Sequence, residues 1–155
     1  MKFVHAALLA IAMTLALPVA AQTHSDMQIL ADKLKADKKL LVAANMELTD
    51  AEAKRFWPVY EAYQKDLHKL NQRTAAVIKH YADAYNKGPV SDATAEKLIG
   101  EAISIEEAEV KMRRSYLPKL KQVLPGMKVA RYLQLESKVR AVIRYELASE
   151  IPLVE

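Results

Sequence analysis

The side chains best equipped for chemistry in this 155-residue sequence are three of its four histidines, His24, His68 and His80, and a run of acids, Glu106, Glu107 and Glu109. His68 with Glu61 and His80 with Asp83 share helical faces, where such pairs are ordinarily solvated. The three glutamates could gather a cation or pair with Arg113 across one or two turns. No Asp or Glu has a His three residues later, so the carboxylate–histidine motif of di-iron bundles is missing. His-Glu-x-x-His and Gly-x-Ser-x-Gly are absent as well. Only three glycines occur, too few for a Rossmann or phosphate-cradling loop, and no cysteine, so thiol nucleophiles, thiolate metal sites and disulfides are excluded. Neither an enzyme nor a cofactor is expected.

One metal reading depends on where the mature chain starts. Lys2 followed by the apolar run Val4 to Leu17, then Pro18 and Val19-Ala20-Ala21, reads as a secretory signal over residues 1–21. The run is short for a membrane span, which needs about 20 apolar residues, and no later stretch is apolar enough to cross. Cleavage after Ala21 would place His24 third in the new chain. A free amine, two amide nitrogens and that imidazole could then wrap Cu(II) or Ni(II) in a square plane. Cyclisation of Gln22 would block the amine and the site with it.

Export also bears on partners. The segment contributes one of 23 basic residues and none of the 19 acids, so the remainder keeps a formal charge of +3. That charge is spread along the chain, not gathered as a nucleic-acid groove requires. No nucleic-acid partner is expected, and the location is periplasmic or secreted.

The elements that must position any site are helices, because 52% hydrophobic and 27% charged residues with few glycines describe a folded, turn-poor chain. Ser25 and Gln28 have a capping-box spacing, and Met27, Leu30, Leu34 and Leu41 trace a sparse stripe to about Asn45. Thr49 with Glu52 is a clearer capping box, with Leu48 at the staple position. Phe56, Tyr60, Tyr63, Leu67, Leu70, Thr74, Val77, Tyr81 and Ala84 then follow at steps of four and three, a heptad seam. Pro58 should kink this helix without stopping it, and Lys87-Gly88-Pro89 ends it. Ser91 or Asp92 caps a third helix with the stripe Ala95, Ile99, Ala102, Ile103, Val110, Leu117, Leu120 and Leu124. Glu106 and Arg113 interrupt that face. Acids fill its first half and bases its second, an order that complements the helix dipole and suits an antiparallel neighbour. Leu124-Pro125-Gly126 breaks the chain, with Pro125 suited to a first helical position. A fourth helix runs to about Ser149.

The expected architecture is all-α: a long antiparallel helical hairpin with shorter flanking helices, four helices in all, in a single domain over 22–155. A thin hairpin buries less surface than a compact domain. The deficit points to a homodimer or to an apolar face kept for a client; a closed four-helix bundle is the structural alternative. Trp57, Phe56 and Tyr60 beside Pro58 suit packing, or an amphipathic surface for unfolded chains.

Leu48-Thr49-Asp50-Ala51-Glu52, opening a long helix in a Cys-free chain with an export signal, resembles the LTxxQ motif of the Spy/CpxP family of periplasmic proteins. Glu52 stands where the motif has Gln, and the place of its second copy, Leu124-Pro125-Gly126-Met127-Lys128, has lost Thr and Gln. The resemblance implies a cradle-shaped antiparallel dimer and ATP-independent chaperone activity or envelope-stress signalling. Partners would be unfolded or envelope proteins. Arg55, Phe56, Trp57 and Tyr60 near the kink, with Arg113, Arg114 and Lys121 on the third helix, are the candidate contacts. The rival readings are a structural or regulatory adaptor for one partner and a metal-binding periplasmic protein.

Overall fold

The computed structural model describes residues 37–154, and they are helical throughout apart from short connections. We label the helical residues 37–46 α1, Asp50–Tyr85 α2, Asp92–Val123 α3 and Gly126–Glu150 α4. The expected signal sequence, the Ser25 cap and His24 lie outside the described residues. Val42–Glu155 forms one compact unit. No described helix is long and apolar enough to cross a membrane.

Local signals act where the sequence places them. Thr49 caps α2: its hydroxyl accepts from the Glu52 amide at 3.3 Å, while the Glu52 carboxylate accepts from the Thr49 amide at 2.9 Å. Four orphan amides open every helix, so this exchange satisfies two donors at once. The helix continues through Pro58 for 36 residues. Ser91 caps α3, which continues through Pro118. Pro125 is the cap of α4 and not its first turn, because its extended backbone carries the chain out of α3.

α2 and α3 form the antiparallel hairpin, joined by a turn in which Gly88 takes φ 131°, open to residues without a Cβ. α4 lies along this hairpin. Its start meets the start of α2, where Lys128 Nζ donates to Glu52 at 2.6 Å. Beyond its end, the Pro152 carbonyl accepts from the Tyr81 hydroxyl at 3.0 Å. The break at Leu124-Pro125 is too short to take α4 anywhere but back along α3, so it covers the hairpin and does not merely flank one end.

The core is gathered at one end. Val42 and Met46 of α1, Phe56, Tyr60, Tyr63 and Leu67 of α2, Tyr116, Leu120 and Leu124 from α3 and its cap, and Val129 and Tyr132 of α4 form one buried cluster. On α1 the buried residues are Val42 and Met46, whereas Leu41, expected on the apolar stripe, is exposed. All nine residues of the α2 seam lie inward but change character: Phe56, Tyr60, Tyr63 and Leu67 are buried, and Leu70, Thr74, Val77, Tyr81 and Ala84 are half-buried. We call these the proximal and distal halves.

One backbone position is strained. Glu47, in the link from α1 to α2, has φ 47°, where a Cβ crowds the following carbonyl. Lys128 Nζ donates to its carbonyl at 2.7 Å and holds it there. Glu47→Gly is expected to raise unfolding free energy by about 0.5–1 kcal/mol, as relief of strain exceeds the added chain entropy. A lower urea midpoint would contradict this.

Candidate functional site

The middle of the unit holds a polar layer built from all three long helices. Glu109 projects inward from α3 and is buried, and Glu136 does the same from α4. Buried carboxylates need ionic or hydrogen-bonded partners. Glu109 is met by the Arg140 guanidinium, with Arg144 at 3.5 Å and Arg113 at 3.7 Å. Glu136 accepts from the Gln64 amide at 2.8 Å, and that amide also reaches the Tyr132 hydroxyl at 3.3 Å. Nearby, the Tyr116 hydroxyl donates to Asp66 at 2.7 Å and Lys119 lies 4.3 Å over the Tyr116 ring.

Rings fill the space below this layer. Tyr132 packs edge-on against Phe56 at 5.2 Å, Tyr63 at 5.7 Å and Tyr60 at 6.1 Å, and Tyr63 meets Tyr116 at 5.2 Å. Edge-to-face geometry sets the positive rim of one ring on the negative face of the next. Burial, followed by the negative charge of Glu136, raises the phenols of Tyr60, Tyr63 and Tyr132 well above the usual value. Burial and then Asp66 push Tyr116 up to about 12.

These positions correct several expected contacts. Phe56 and Tyr60 are buried in the core and cannot be offered to a partner, because the four-three seam that carries them faces α4. Trp57 is half-buried against both rings. Arg113 is engaged within the chain, with Glu109 and with Ser137 Oγ at 3.0 Å. Arg55, exposed, donates from Nε to the Ala51 carbonyl at 3.3 Å. Arg114 and Lys121 are exposed on α3. The structure therefore separates the seven residues into core, interior ion network and surface; it does not assemble them into one site. His80's expected partner Asp83 is taken by Lys79 at 2.6 Å.

The stripe expected on α3 is split: Ala95, Ala102, Leu120 and Leu124 lie inward, and its other four residues point outward. Ile99, Ile103, Val110 and Leu117 are 59%, 51%, 50% and 37% exposed. The inward row is Leu98, Ala102, Ile105, Glu109, Met112, Tyr116 and Leu120. Glu109 sits on this row at the same four-three step as its apolar neighbours, so heptad spacing was the available signal; reading Glu109 only by charge hides the seam. Glu136 follows Val129 and Tyr132 on α4 in the same way.

The outcome is a second apolar row. With Glu106, Glu107, Lys111 and Arg114, Ile103 and Val110 line an open shallow groove on the outside of α3. A further exposed patch lies on distal α4, where Val142, Ile143 and Tyr145 are 61%, 44% and 74% exposed. Among the described residues, no group of three His, Asp or Glu side chains is placed to hold a metal ion. The surfaces can make apolar and ionic contacts with another chain.

Comparison with protein-family models, curated proteins and solved structures finds no match.

Two measurements probe the polar layer. Arg140→Leu, which leaves Glu109 short of its main partner, should cost about 2–4 kcal/mol in urea unfolding. The double variant Glu109→Leu/Arg140→Leu should recover most of that loss; equal destabilisation by both would contradict the pairing. On the alkaline side, phenols raised in the folded state leave stability intact below about pH 10, and it falls above that as the unfolded chain ionises first. The phenolate absorbance of Tyr60, Tyr63, Tyr116 and Tyr132 should appear together with loss of helicity. Ionisation of all four with helices intact would refute their burial.

Proposed function

We propose that this chain is an exported, non-enzymatic protein-binding module that holds unfolded or envelope proteins without nucleotide, and that it works as a homodimer. The observation that carries the reading is the exposed apolar surface of the distal half: Val142, Ile143 and Tyr145 on α4 stay open to solvent while the core is confined to the opposite end. Val142 and Tyr145, three residues apart, share one flank of α4, and exposed apolar surface of this kind on a folded chain marks a site of interaction. Such a surface meets many sequences weakly, delaying aggregation while a client folds. Resemblance of Leu48-Thr49-Asp50-Ala51-Glu52 to the Spy/CpxP motif supports the same reading, including a periplasmic location.

The test is light scattering from several unrelated unfolding clients. Equimolar protein should suppress it, and the variant Val142→Ser/Ile143→Ser/Tyr145→Ser, altered only at exposed positions, should need several-fold more protein for the same effect. Unchanged scattering with every client would refute a general holding activity.

A further inference from the structure

The outer row of α3 has an internal symmetry. Ile103 and Leu117 lie seven residues either side of Val110, and Glu106 and Arg114 lie four either side. Glu107 stands three residues before Val110 and seven before Arg114. All fall on one flank of the helix at 3.6 residues per turn. Apolar residues thus map onto apolar ones under reversal about Val110, and acids map onto bases. A surface with this property is complementary to itself turned end for end, which is what an isologous two-fold contact requires.

We infer that two copies of this chain pair antiparallel through the outer face of α3, with the two-fold axis beside Val110. This rests on the homodimer part of the proposed function and not on client holding. In this arrangement Ile103 of one copy lies toward Leu117 of the other and Glu107 toward Arg114, while Glu106 keeps Arg144 of its own chain at 3.4 Å. Parallel pairing would set acid against acid and base against base, costing energy at both ends of the row. A head-to-tail contact displaced along the helix would leave Val110 or Leu117 uncovered. The distal patch of α4 has no comparable reversal of charge, so it is not the self-pairing face. From Ile99 to Leu117 the row extends roughly 27 Å. The adjoining flank of α4, with Ala130, Leu133 and Lys138 beside Arg113, extends the contact sideways toward the roughly 800 Å² per partner of a standard interface.

Sedimentation equilibrium of the full mature chain over a range of concentrations decides it. The unaltered chain should dimerise. Val110→Glu, which puts like charges together at the axis on an exposed position, should weaken the dimer at least tenfold with helicity unchanged. Arg114→Glu and Glu107→Arg should each weaken self-association, and mixing the two variants should restore a dimer, because each then supplies the charge the other lacks. A monomer at all concentrations overturns the pairing and assigns this face to another protein. A dimer indifferent to Val110→Glu overturns it as well, since a different surface would then join the copies. Loss of the dimer with client holding retained would separate this pairing from the holding activity.

Discussion

Two inward-facing carboxylates set the register of the helices. Glu109 and Glu136 are buried at the middle of the unit, and an unpaired charge there would cost several kcal/mol. Glu109 takes its nearest partner, Arg140, from α4, and Glu136 meets Gln64 of α2. Sliding α4 by one turn would take Arg140 from Glu109 and Glu136 from Gln64. Apolar packing alone would tolerate such a slip, since hydrophobic attraction has no direction. The polar layer converts a generally sticky set of seams into one alignment.

That alignment fixes where the rings go. With Glu136 opposite Gln64, Tyr132 falls one turn earlier, among Phe56, Tyr60 and Tyr63, and its hydroxyl reaches the polar layer while its ring fills the core. α4 joins α2 through these long side chains, in contrast to the close approach of α2 and α3. The large rings are concentrated in proximal α2, and Val77 and Ala84 are too small to bridge an equal gap farther along. Distal α4 consequently has little to pack against, and Ile143, though on the inward side with Glu136, remains 44% exposed.

Much of this was legible in the sequence. The Thr49–Glu52 box, the seam from Phe56, the Lys87-Gly88-Pro89 turn and the all-α hairpin follow from local chemistry and period. The middle of the inner face of α3, Ile105 to Tyr116, did not, for a physical reason: this helix carries two apolar rows about a quarter-turn or more apart. The row containing Glu109 looks worse by hydropathy than the row containing Ile99, Ile103 and Val110. What selects it is Arg140, thirty-one residues away, and no local pattern announces that partner. Phe56 and Tyr60 were legible as core and as binding residues alike; only Tyr132, supplied from α4, settles them as core.

The way the chain spends its aromatic and arginine side chains bears on the kind of binding its surface can support. Tight protein interfaces draw most of their energy from Trp, Tyr and Arg anchors seated in pockets. Here Tyr60, Tyr63, Tyr116 and Tyr132 are buried, Trp57 packs on the core, and Arg113 and Arg140 answer Glu109. What remains outside is mostly Ile, Val and Leu on open helix faces, at roughly 25 cal/mol for each Å² covered. Contacts of that kind are individually weak and indifferent to the partner's sequence. They become selective only where charge order is added, and the outer face of α3 has that order while distal α4 lacks it. One surface is thus suited to a single defined mate and the other to many passing ones.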